Sequence, residues 1–491
     1  MRSLAGLVVA LSVALLAAGC GGGAGAGAGG EAAAVVPADV GLYVSVDTDF
    51  DGEQWDAASD LVRRFPDGPE ALQDVLAEFE EEEGLDFEQD VKPALGPETA
   101  FALLDLGDED SVVGLTQPED EQKLEQLLEQ GDEPTVTEDV EGWTVVANTQ
   151  DVIDRFKQLR GQGMLADSDG FAEAMDGLDT DALATLYVSG EGLQEAAESD
   201  PEFDAEGVDA ILPGGRFPSI GAVARADDDG ARLHGQAVFA GDVEESALAA
   251  PPYEAQLPEL VPAGVLAYGS FNDLEQQFSA FRDALAEANP EFESQLGQAE
   301  AAIGVSLEED IGPLFAGEGA VYVRRGAPIP EITLLTAVEN EQRAVATVDD
   351  LVAGLQQYAP VPDPQETDIG GVQAREVQIQ PPFSLFYAAF DGNLVLTTSR
   401  QGIVELREGG DSFADQEGFS DATERADMPD ETTGWLYVDL QEALPLLLDF
   451  ASAAGDVPPE ARANTEPLRS LVAYGTADGN TAGFTLFLSI E

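Results

Sequence analysis

Cysteine, histidine and lysine are nearly missing from this chain: of 491 residues one is Cys, one is His and three are Lys. A single histidine, His234, leaves one ordinary base for a Ser or Cys nucleophile. It lies in Arg232-Leu233-His234-Gly235-Gln236, where strand alternation sets it beside Arg232 and Gln236 on a polar, solvent-facing side. One cysteine excludes disulfides and Cys-based zinc sites. There is no Gly-x-Ser-x-Gly, no Walker loop and no dinucleotide-type glycine motif after a strand. Hydrolase and nucleotide chemistry therefore find no support. Beyond the N-terminal segment, apolar runs stop short of the roughly 18 residues that a membrane span needs.

Positive charge is the largest deficit. Lys+Arg number 21 against Asp+Glu 97, a formal charge of −76. Phosphate backbones and anionic lipid surfaces both demand clustered cations, so neither nucleic acid nor docking on lipid through basic residues fits. Hydrophobic residues still make up 44% of the chain, enough for packed cores.

What is present begins with an address. Met1-Arg2 is a positive start, Leu4 to Leu16 an apolar stretch, and Ala17-Ala18-Gly19-Cys20 a cleavage pattern. Small residues ending on Cys resemble the lipobox of bacterial lipoproteins, although Ala17 stands where Leu is commonest. The resemblance implies that residues 1–20 are a lipoprotein signal peptide and that Cys20 is lipidated. An ordinary secretory signal with an unrelated Cys is the other reading. Residues 21–35 begin with ten Gly and Ala residues and read as a flexible tether. The expected location is the outer face of a bacterial cell membrane, held there by lipid.

The rest of the chain matches itself. Val36-Pro37-Ala38 recurs as Val261-Pro262-Ala263, and Gly84 to Pro93 as Gly304 to Pro313. Asp139 to Gly142 recurs as Asp368 to Gly371, Leu165 to Phe171 as Phe413 to Phe419, and Leu186-Tyr187-Val188 as Leu436-Tyr437-Val438. The order is kept while the offsets run 225, 220, 229, 248 and 250. This pattern reads as an internal duplication. Residues 36–248 form a first copy, 249–260 a Pro-rich linker, and 261–491 a second copy. The rise from 229 to 248 adds a hairpin near 372–391 in the second copy, where Asp391-Gly392 supplies a tight turn between apolar runs.

Long helical periodicity over Glu70 to Glu83 (Leu72, Val75, Leu76, Phe79) and over Leu274 to Ala302, interrupted by Pro290, alternates with hairpin signals. The fold class expected is α+β: two tandem related copies, each a mostly antiparallel sheet packed with helices. The Val-Pro-Ala start, Glu-x-Asp-x-x-Pro (Glu88-Asp90-Pro93 and Glu308-Asp310-Pro313) and Ala-Asp-x-x-Gly-Phe elements resemble the bacterial domain of unknown function 3352 family. Those are exported or anchored proteins with no assigned activity, so the resemblance implies no catalytic residues.

Two candidate chemistries survive. Asp47-Thr48-Asp49-Phe50-Asp51-Gly52 is half of a calcium loop, with Asp47, Asp49 and Asp51 as alternate carboxylate ligands. Ala58 stands where the bidentate Glu belongs, so a helix-capping turn competes with the metal reading. A carboxylate-based envelope enzyme such as a glycosidase is the other alternative, since acidic pairs abound. The leading expectation is a non-catalytic binding or scaffolding module, without a required cofactor. The charge itself makes a prediction. Spread over a compact surface, 76 net charges lie about 15 Å apart, beyond the Debye length at physiological salt but well within it at 0.01 M. Thermal melts in dilute buffer should give a lower midpoint than melts in 0.5 M NaCl; a midpoint indifferent to salt would show the charge to be locally compensated.

Overall fold

The computed structural model describes residues 30–130, 134–199, 212–243, 250–288, 292–326, 329–380, 383–455 and 457–491. Alternating apolar residues make the strands of the first half: β1 (Leu42–Asp47), β2 (Glu98–Leu103), β3 (Val112–Thr116), β4 (Val136–Val140), β5 (Trp143–Ala147), β6 (Ala184–Val188), β7 (Ser219–Asp227) and β8 (Gly230–Val238). The second half holds β9 (Tyr253–Glu254), β10 (Val265–Asn272), β11 (Glu318–Arg324), β12 (Glu331–Ala337), β13 (Gln365–Ile369), β14 (Val372–Gln380) and β15 (Phe383–Phe390). It ends with β16 (Asn393–Thr397), β17 (Glu431–Thr432), β18 (Gly434–Asp439), β19 (Leu468–Asp478) and β20 (Thr481–Ile490). Helices fall between them. The first half has α1 (Glu53–Arg63), α2 (Gly68–Glu83), α3 (Glu121–Gln130), α4 (Gln150–Arg160), α5 (Asp169–Met175) and α6 (Gly190–Ser199). The second has α7 (Leu274–Ala288), α8 (Phe292–Ile303), α9 (Glu341–Leu355), α10 (Arg400–Glu408), α11 (Glu417–Arg425), α12 (Leu440–Ala454) and α13 (Pro459–Thr465). The class is α+β, as expected.

Eighteen of these strands join one antiparallel sheet. Its first half runs β4-β5-β3-β2-β1-β6-β7-β8. Its second runs β20-β19-β18-β10-β11-β12-β16-β15-β14-β13. The two halves meet where β8 pairs with β20, from Val238 opposite Thr481 to Gly230 opposite Ser489. Counted from the seam, β15 lies on β16 as β4 lies on β5, so the two strands beyond the first half's order are β13 and β14 at residues 365–380, whereas the offsets set the extra hairpin near 372–391. The β15–β16 turn carries positive φ at both Asp391 (49°) and Gly392 (78°), the geometry of a tight hairpin turn. Residues 249–260, expected as a linker, contain β9, which pairs with β17, and Leu257, which is buried in the second core.

Corresponding residues do the same work in both halves. Tyr43 faces Tyr187 across β1 and β6, and Tyr268 faces Tyr437 across β10 and β18. Phe171 packs edge-on against Tyr43 and Tyr187 at 6.1 and 5.1 Å. In the second half Phe419, the counterpart of Phe171, packs edge-on against Tyr437 at 5.3 Å, and Phe413 and Trp435 stack on Tyr268 at 4.8 and 4.7 Å. Each aromatic pair of this kind adds about 0.5–1.5 kcal/mol beyond its buried area.

The short motifs are locks between segments. Pro37 forms a bridge with Met164, and Pro262 with Ser412. Alongside, Leu165 N donates to Val36 O at 2.8 Å and Phe413 N to Val261 O at 2.7 Å. Asp90 accepts from the N–H of Asp86 at 3.0 Å, and Asp310 from that of Ser306 at 2.9 Å, closing a wide turn after each long helix. Glu80 and Glu300, on those helices, accept from Phe87 N and Leu307 N. Gly84 and Gly304 lie between, with φ of 71° and 81° that a side chain resists. At the start of β2 and β11, Glu98 accepts from the N–H groups of Glu31 and Ala32, and Glu318 from those of Gln256 and Leu257. Burial raises the pKa of both carboxylates, while the donated N–H groups pull the other way. Glu318→Ala strips two backbone donors of their acceptor and is expected to cost about 1–3 kcal/mol. Amide exchange should accelerate at Gln256 and Leu257 and stay slow at Tyr268.

Candidate functional site

Cys20 and the rest of the signal region lie outside the described residues. Asp47, Asp49 and Asp51 fall on the turn that leaves β1. Asp47 Oδ1 accepts from Asp49 N at 2.9 Å, Asp49 Oδ1 from Asp51 N at 3.4 Å, and Asp51 Oδ2 meets Lys92 Nζ at 2.9 Å. The three carboxylates are thus taken up by the turn and by one lysine. The capping alternative needs correction: Gly52 stands at the N-cap of α1, with no side-chain cap bond. Among the described residues no three His, Cys, Asp or Glu side chains are grouped to hold a cation. Burial pushes the Asp47 carboxyl up to about 7, with the charges of Asp49, Asp181 and Glu98 adding to it.

His234 corrects the reading of its strand. Arg232 and Gln236, on its side of β8, face helix ends rather than solvent. Gln236 Nε2 donates to the carbonyls of Ala174 and Asp176 at the end of α5. Arg232 donates to those of Arg425 and Ala426 at the end of α11 and lies over the buried Phe487 ring at 4.8 Å. His234 between them is half-buried, and burial together with the Arg232 charge lowers its pKa. Leu233, on the opposite side, is the exposed one at 39%. Alternation separates the two faces correctly but does not say which one the helices cover.

Two cavities stand apart from these motifs. In the first half, a cleft of about 510 Å³ opens between α6, the end of α5 and the residues just past β8. Glu191, Glu195 and Glu198 line it from one face of α6, joined by Glu173 and opposed by Arg216. Four carboxylates to one guanidinium give it a field that draws cations. In the second half, a pocket of about 230 Å³ lies between α7 and the turn at residues 307–315. Leu274, Phe278, Leu307, Ile311 and Phe315 form its walls. Arg282 at its rim is held by Asp283 at 2.7 Å and Glu308 at 2.6 Å. In the first half, Phe50 occupies the neighbourhood of the corresponding turn, its ring 4.6 Å from Trp55 and 5.2 Å from Phe87.

A family model described as a protein of unknown function, DUF3352, matches residues 2–144 and 117–490. The chain belongs to the DUF3352 family. No curated protein matches it. Among solved structures, crystal forms IV and III of TP0453 are similar at 11% and 10% identity, each with a TM-score of 0.25. They cover 46% and 48% of this chain and 76% and 93% of their own, and both fall below the level of a shared fold. This chain's Glu-x-Asp-x-x-Pro and Val-Pro-Ala elements coincide with the turn and bridge locks, and Pro93 and Pro313 stand in the short helical turns that follow Asp90 and Asp310.

The Asp47 carboxyl yields a pH test. Folded, it keeps its proton up to about 7, whereas the unfolded chain loses it near about 4. Its contribution to stability is present below about 4 and is lost as the pH rises towards 7. Asp47→Asn preserves the acceptor oxygen and cannot ionise. Its melting midpoint should exceed that of the wild type at pH 8, and the gap should close by pH 4.5; a constant gap would contradict the shift.

Proposed function

We propose that this DUF3352 protein is a non-catalytic binding or scaffolding body, anchored by lipid at Cys20 to the outer face of a bacterial cell membrane and built from two tandem copies of one α+β unit. The observation that supports it most is where the chain's repeated short motifs are spent. Each ties one backbone segment to another, and each does so at matching places in the two halves. Duplication accounts for the matched tyrosine pairs, the matched carboxylates Glu98 and Glu318, and the matched turns at Asp90 and Asp310. Charge and cavities supply the binding part. A body of charge −76 with an acidic cleft in one half and an apolar pocket in the other suits cationic and apolar groups. Calcium at Asp47, Asp49 and Asp51 is not part of the proposal, because the Lys92 ammonium already neutralises Asp51. Among the described residues no helix is long and apolar enough to cross a membrane. Attachment then rests on the acyl chains and the Gly/Ala tether.

Cell fractionation tests the anchor. The wild-type chain should sediment with membranes and resist a high-salt wash, while Cys20→Ala should appear in the soluble extracytoplasmic fraction. Unchanged membrane retention of Cys20→Ala would overturn lipid attachment.

A further inference from the structure

We propose that the pocket beside α7 receives an aromatic side chain of a partner polypeptide whose flanking residues are basic. The inference rests on the reading of the two halves as copies and of the body as a binding module. The first copy shows what fills this place. There the connection from β1 to α1 is the turn Thr48 to Gly52, which carries Phe50 between Trp55 and Phe87. In the second copy β10 passes to α7 through Asp273 alone, so Phe50 has no counterpart. Leu307 replaces Phe87: both open the wide turn, and both donate their N–H to a glutamate of the preceding helix. Trp55 is replaced in role by Gln277. The indole Nε1 donates to Asp47 O at 3.2 Å, and the Gln277 amide donates to Asn272 O at 3.1 Å, the last carbonyl of the equivalent strand. Phe50, Trp55 and Phe87 therefore have no aromatic counterpart in the second copy, and the pocket there is walled by Leu274, Phe278, Leu307, Ile311 and Phe315.

Size and charge narrow the occupant. An apolar protein cavity of about 150 Å³ already takes up benzene, so about 230 Å³ accommodates one substituted ring. It falls short of the 300 Å³ or more typical of sites for whole small molecules. Asp283, Glu308 and Glu275 set three carboxylates around one guanidinium at the rim. A ligand bearing its own carboxylate meets repulsion there, and a side chain flanked by Lys or Arg meets attraction. Phe278, 59% exposed at the mouth, is placed to close over the ring.

The probe is the tripeptide Lys-(4-fluoro)Phe-Lys with blocked ends, titrated into the full chain and followed by fluorine NMR line width. Binding is expected for the wild type and within about twofold for Ser279→Ala, and at least about tenfold weaker for Ser279→Trp, which fills the pocket from α7. The Glu-flanked peptide should bind at least about fivefold more weakly in low salt. Equal binding by Ser279→Trp, absence of binding by the wild type, or octanoate outcompeting the tripeptide would each overturn the proposal. Membrane release of Cys20→Ala is read independently, so the anchored module can stand while this pocket assignment falls.

Discussion

The pairing of β8 with β20 holds the two halves of this molecule together. Each half, taken alone, would end in an exposed strand at this side: β8 in one, β20 in the other. An exposed edge presents a row of free N–H and C=O groups and invites aggregation. Joining the two strands from residues 230–238 to 481–489 removes both edges and makes one continuous sheet. The chain's last strand is therefore required by its first half. Residues 250–260 are drawn into structure separately, through β9, the buried Leu257 and the Glu318 carboxylate that accepts from Gln256 and Leu257.

The same seam concentrates scarce positive charge. Arg232 binds Asp227 at 2.8 Å and the carbonyls at the end of α11, while Arg425 binds Glu491 at 2.6 Å and Ser489 at 3.3 Å. Arg64, from the loop after α1, donates to the carbonyls of Ile490 and Asp228. Arg469 shares Glu491 with Arg425. In a chain with 97 carboxylates, these four arginines are spent where the two acidic halves touch. Guanidinium suits that place because its planar donors satisfy several carbonyls and carboxylates at once.

The two halves share positions that carry the fold and differ in the turns between them. The framework positions, namely the tyrosine pairs, the glutamates that open β2 and β11, and the aspartates of the wide turns, keep the fold and stay alike. The turns between them are free to differ. The first half has a turn long enough to seat Phe50 on its own helix and is filled there; the second has a single-residue connection and is open.

Much of this was legible in the residues themselves. Periodicity marked the long helices, Asp391-Gly392 marked a tight turn, and the self-match marked which segments do equivalent work, because identical local chemistry is repeated in order. The drop in offset from 225 to 220 even marked residues lost between the first strand and the long helix, where the open pocket lies. Other features needed the third dimension. Alternation in β8 separated Arg232, His234 and Gln236 from Leu233 but pointed the wrong set at solvent, since the helix ends that cover the polar side come from residues 174–176 and 425–426. The carboxylates of Asp47, Asp49 and Asp51 had the spacing of a calcium loop, yet Lys92, some 41 residues away, and the turn's own N–H groups engage them. Charge and the self-match are written along the chain because they are sums or local patterns. Seam, pocket and the partners of each carboxylate depend on which distant segments meet, and only folding brings those together.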